Sequence, residues 1–203
     1  MVRGPDPLIP RGRKYSMIRI GRRTVIKGGI SLGIGLGFAP TRASGQDDRA
    51  SIRTQEGDLL IKVGDSSIKP LTPDDIPSGG MQTMAWSVDP MDNTVRRGSR
   101  LNQVLLLRLD PEKLSLETKS RAADGVVAYT AICTHSGCEV EEWLADEQLL
   151  YCSCHSSKFD PKDGAKVMDG PAPRVLPALP LKLVNRALVV AQPFTARVGF
   201  ESF

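Results

Sequence analysis

Short apolar runs broken by turn residues fill the chain from residue 59 onward. "LLIKV" (Leu59–Val63), "MQTMAWSV" (Met81–Val88), "QVLLLRL" (Gln103–Leu109) and "VVAYTAI" (Val126–Ile132) are rich in β-branched and aliphatic residues and too short for helices. "EQLLYC", "KLV" and "ALVVAQ" add three more runs later. "TPDDIPSGG" and "DPMDNTVRRGS" between them have loop composition, because Pro, Asp, Asn and Gly each favour a turn conformation. One helix is predicted where Asp110 caps, Pro111 takes the first turn and "EKLSLETKSRA" follows without a breaker. The pattern predicts an all-β, antiparallel domain over 59–203 with one short helix. Residues 44–58, "SGQDDRASIRTQEGD", are polar throughout and read as a linker.

Composition changes this picture at the N-terminus. Residues 1–27 carry eight of the 27 Lys and Arg and a single acid, Asp6, so the net charge of +4 is a basic leader on a mildly acidic body. Together with sparse aromatics, that removes the case for a nucleic-acid partner. Arg22 and Arg23 precede a weakly apolar, glycine-rich run from Gly28 to Ala39. The run is too short to cross a ~30 Å hydrocarbon core as a helix. Residues 1–43 therefore read as a leader resembling a twin-arginine export signal, with Thr41 to Ala43 as a cleavage site and Met17 as an alternative start. The body is expected in the periplasm or on the outer side of the cytoplasmic membrane.

The chemistry is concentrated in one stretch. All four cysteines and both histidines lie between Cys133 and His155, in "CTHSGC" and "YCSCHSSKFD". Each segment leaves the end of a predicted strand. Cys133-x-His135 and Cys152-x-x-His155 each offer one thiolate and one imidazole, and Cys138 and Cys154 remain, able to clip the two loops by a disulfide. A structural zinc site, two plain disulfides, and a redox pair at Cys152 and Cys154 are the other readings of the same residues. The paired acids of "DPMD" and "DPKDG" sit in turn-rich segments and read as solvated faces, so no acid/base pair competes.

The two boxes, with sixteen residues between His135 and Cys152, resemble the cluster-binding motifs of the Rieske iron–sulfur proteins. "GPAPRVLPALPL", from Gly170 to Leu181, is similar to that family's proline-rich loop, with Gly170 and Pro171 at its start. The resemblance spans about 60 residues. It implies a Rieske-type β-sandwich with a small cluster-binding subdomain. It also implies a [2Fe–2S] cluster held by Cys133 and Cys152 on one iron and His135 and His155 on the other. Potentials of such centres run from roughly −150 to +300 mV, against about −400 mV for all-cysteine plant-type ferredoxins. Ser157 stands where the family's higher-potential members have a hydroxyl donor, and Phe159 where they often have Tyr. The resemblance implies one-electron transfer within a respiratory complex. The donor would be a quinol or a catalytic subunit, and the acceptor a cytochrome. A quinol–cytochrome c reductase subunit fits best. The small subunit of a periplasmic molybdenum oxidoreductase of the arsenite oxidase type comes second, and an oxygenase ferredoxin or a zinc-stabilised binding module follows. Ser136, Ser153 and Ser156 depart from the quinol-oxidising pattern and make the tip more polar.

Overall fold

The computed structural model describes residues 45–200. The leader, with Arg22, Arg23 and Met17, lies outside them. No helix among the described residues is long and apolar enough to cross a membrane. Among the described residues, ten strands form two antiparallel sheets. The larger sheet contains β1 (Leu59–Lys62), β2 (Thr83–Val88), β3 (Val104–Arg108), β4 (Val126–Thr130), β9 (Leu181–Val184) and β10 (Ala187–Val190), in the order β4-β3-β2-β1-β10-β9. The smaller contains β5 (Glu142–Leu144), β6 (Leu149–Cys152), β7 (Ser157–Asp160) and β8 (Lys166–Asp169), in chain order. The small sheet is inserted between β4 and β9. The chain returning from it pairs with β4 through Thr130 N–H to Pro177 O (3.0 Å) and Leu179 N–H to Ala128 O (2.9 Å), which curls the large sheet toward closure.

The uninterrupted apolar runs of β3 and β4 have a direct cause: both strands are buried on two faces. Val104, Leu106, Val126 and Ala128 point into the curled sheet with Leu60, Ala85, Leu179 and Leu188. Leu105, Leu107, Val127 and Tyr129 point the other way, onto Leu150, Phe159 and the buried Cys133 and Cys152. The second core joins the small sheet to the large one. Tyr129 reinforces the joint by donating from its hydroxyl to Pro161 O (2.8 Å), and burial raises its pKa well above the ordinary phenol value.

Two expectations need correction. The single helix after Asp110 is two elements, a 3₁₀ turn at Pro111–Lys113 capped by Asp110 and α2 (Leu116–Arg121) capped by Ser115. Leu114 is buried in the second core, and turning it inward breaks the helix. Ser115 then restarts the helix by accepting from Thr118 N–H (3.3 Å). In this arrangement Ser115 N–H reaches Lys162 O (2.9 Å), Thr118 Oγ1 accepts from Gly164 N–H (2.8 Å), and α2 braces the β7–β8 turn.

The polar stretch 44–58 is also more than a linker. It carries α1 (Gly45–Ala50) and two buried anchors, Thr54 and Asp58. Arg96 grips Asp58 with two hydrogen bonds, Nε to Oδ2 at 2.7 Å and Nη2 to Oδ1 at 2.9 Å, and both side chains are almost wholly buried. Thr54 and Ser87 share a hydroxyl contact at 2.9 Å, and Asn102 Nδ2 donates to Ile52 O and Arg96 O. Polar composition concealed this because the partners lie more than thirty residues away.

Candidate metal centre

Three loops converge beside the second core. The first extends β4 as a tight hairpin, with Cys133 N–H to Cys138 O at 2.8 Å and Val140 N–H to Ala131 O at 2.8 Å. Gly137 turns its apex with φ +77°. The second joins β6 to β7, whose end residues Cys152 and Ser157 face each other across the ladder. Four residues, 153–156, form its tip. The third is the segment after β8, beginning at Gly170.

Each pair of loops is joined. Cys138 and Cys154 form a disulfide between the first and second. Thr134 Oγ1 donates to Arg174 O (2.6 Å), joining first to third. Ala172 N–H donates to Ser157 Oγ (3.2 Å), joining third to second. Gly170 makes the last approach possible. Its φ is +87°, and a Cβ there would lie 2.5 Å from Ser157 Cα and 2.7 Å from Ser156 O. Pro171 stands exposed at the rim, and Ala172 supplies the buried contact.

The six cysteine and histidine side chains sort by kind. Cys133 and Cys152 are free thiols, 1% and 2% exposed, at the base of the loops. Burial pushes the Cys152 thiol up to about 11, and the neighbouring Cys133 adds to the shift. Buried beside a second thiol, Cys152 resists ionisation until a cation binds it. His135 and His155 meet above them, ring centroids 4.6 Å apart and planes at 85°. His155 is exposed; His135 is half-buried, and its Nδ1 is buried without a hydrogen-bond partner. An orphaned imidazole nitrogen in a protein interior is costly unless a metal takes it. Among the described residues no three His, Cys, Asp or Glu side chains converge to hold a single ion. The two-plus-two sorting suits a group with two metals rather than a tetrahedral zinc, whose four ligands share one point.

Around these groups, Ser157 is buried, and its hydroxyl oxygen accepts from Ala172 N–H, which leaves the hydroxyl proton to donate. Phe159 is fully buried in the core that also holds Cys133 and Cys152, and it offers no donor. Ser136 Oγ lies 3.4 Å from His155 Nδ1. Ser136, Ser153 and Ser156 are all exposed, so the tip is polar in fact. Ser156 has φ +60°, a left-handed conformation that glycine adopts more readily. Sequence reasoning missed Thr134, Ala172 and Arg174, which tie the loops. Arg174 was visible only as the residue after "GPAP".

The profile of the Rieske [2Fe-2S] domain matches residues 92–180. The chain is 31% identical over 126 residues to the cytochrome bc1 complex Rieske iron-sulfur subunit of Streptomyces lividans, covering 61% of this chain and 73% of that protein. The match to the Streptomyces coelicolor counterpart covers 35% of a longer protein. A protein of Haloferax mediterranei described as a respiratory nitrate reductase Rieske subunit is 43% identical over 76 residues, 37% of this chain and 34% of that one. Among solved structures, the soluble domain of the Rieske protein II from Sulfolobus acidocaldarius aligns with a TM-score of 0.45 at 17% identity, covering 70% of this chain and 81% of that one.

Proposed function

Because the chain belongs to the Rieske iron–sulfur protein family, we propose that Cys133 and Cys152 hold one iron of its [2Fe–2S] cluster and His135 and His155 the other. We propose further that the protein carries electrons as a subunit of a respiratory oxidoreductase of the quinol–cytochrome c reductase type. The observation that supports this best is the sorting of ligands by depth, thiols buried at the base and imidazoles outward with His155 in solvent. The bound cluster supplies the one-electron chemistry, at a potential raised by two neutral imidazoles in place of two thiolates.

The chain's own residues do the rest. The buried thiols keep the cysteine side away from water. The exposed imidazole of His155 forms the face a donor or acceptor meets. His135 presents Nδ1 inward without a partner, so Nε2 is the atom left to hold or release a proton. Ser157, already accepting from Ala172 N–H, has a proton to donate to a cluster sulfur. The leader is read as an export address, which sets the domain outside the cytoplasmic membrane with a cytochrome as acceptor.

A second reading, the small Rieske subunit of a molybdenum oxidoreductase, is favoured by the polar tip of Ser136, Ser153 and Ser156 and by the Haloferax mediterranei relative. Purifying the native complex discriminates between them. A co-purifying cytochrome b and quinol-dependent reduction of cytochrome c support the first reading, whereas a molybdopterin subunit supports the second. Purified protein lacking iron and acid-labile sulfide would overturn both.

A further inference from the structure

The segment after β10 carries no motif, yet it runs back to the cysteine loops. Thr195 anchors it with two hydrogen bonds to Ala178: its N–H donates to Ala178 O (2.9 Å) and its Oγ1 accepts from Ala178 N–H (3.0 Å). Val198 is buried. Gly199 O accepts from Arg174 Nη2 at 2.6 Å, which fastens the segment to the third loop. Phe200 then lays its ring over Gly137, the apex of the first loop, so closely that a Cβ at Gly137 would stand 2.9 Å from the ring. Arg100 donates to Gly137 O from another element. Gly137 N–H in turn donates to Cys133 O (3.1 Å). A ring and a guanidinium thus hold the apex between two elements, two residues from His135 and one from Cys138.

We propose that Phe200 is a positioning residue for the cluster site: its ring caps the first cysteine loop at Gly137, keeps water from that side, and thereby holds the reduction potential below the value an uncapped loop would give. The sign follows from charge. Two ferric ions, two sulfides and two thiolates are formally neutral together, and one added electron makes the site negative. Water favours the charged, reduced form, so an apolar cap disfavours it. Phe200 is 49% exposed, so its truncation leaves the cores intact.

The test is voltammetry of the cluster-loaded protein, with iron content measured alongside. Phe200→Ala should raise the ratio of reduced to oxidised cluster about threefold at a fixed potential, about 28 mV at 59 mV per decade for one electron. Iron loss to a soluble chelator should quicken in the same variant. Phe200→Leu, which keeps an apolar cap, should match the parent in both. An unchanged or lowered potential in Phe200→Ala at full iron content overturns the proposal. If Phe200→Ala loses its iron, Phe200→Gln, which fills the place with a polar side chain, replaces it, with the same rise expected and the same result overturning. The inference rests on the cluster assignment and not on the complex served. Missing iron and sulfide in the parent protein would sink that assignment, whereas a flat Phe200→Ala potential sinks only the cap.

Discussion

Two regions of the molecule are held by different means. Where Asp58 meets Arg96, the chain is fixed by a buried two-bond ion pair and its hydroxyl and amide neighbours, set against a large sheet with its own apolar core. At the cysteine loops, strands of three or four residues carry side chains that must stay available to metal, and a covalent bond does the fastening. The contrast teaches that a core can hold the base of a loop and not its tip: Cys133 and Cys152 are packed into the second core, whereas residues 153–156 stand exposed above it. The staple fastens what that core does not reach.

Breaking the ion pair should have the largest effect on stability and none on the cluster potential. Asp58→Ala leaves Arg96 buried opposite only Asp89, at 3.3 Å. It should cost about 4 kcal/mol, a melting temperature lower by roughly 10 °C, with the cluster potential unmoved in voltammetry. A fall in potential would show that the two regions are coupled.

Breaking the staple should reverse the pattern. The disulfide spans a sequence separation of 16, for which loop-closure entropy predicts about 3 kcal/mol. In Cys138→Ser/Cys154→Ser that loss should fall on the loops. Iron and sulfide content should drop steeply, while far-ultraviolet circular dichroism keeps its β signature.

Two smaller changes sharpen the comparison within the site. Phe159→Tyr places a hydroxyl in the core that holds Cys133 and Cys152, the thiols proposed to hold iron, where a hydrogen bond to sulfur would stabilise the reduced cluster. The potential should rise; an unchanged or lowered value in protein-film voltammetry would remove Phe159 from the list of tuning residues. Ser156→Gly relieves a left-handed residue at φ +60° but forfeits its 3.0 Å contact with Tyr151 Oη. Thermal denaturation should show a gain of no more than about 1 kcal/mol.

The same division decides what could be read from sequence. β3 and β4 announced themselves because burial on two faces demands unbroken apolar runs. β5, β7 and β8 did not, because each has exposed or half-exposed positions and three or four residues, and "SKFD" read as part of a motif before it read as a strand. The helix break at Leu114 depends on a core the sequence does not display. The disulfide was legible because four cysteines crowd into one stretch. Phe200 was not, since a lone aromatic far along the chain from Gly137 carries no local pattern.

The crowding of four thiols has a consequence for how the protein must be made. One disulfide among four cysteines can form in six ways, and only the Cys138–Cys154 pairing leaves Cys133 and Cys152 unoxidised. With Cys133 and Cys152 holding iron as proposed, metallation ahead of oxidation narrows six pairings to one, so the metal would protect the very thiols it needs from the oxidant that makes the staple.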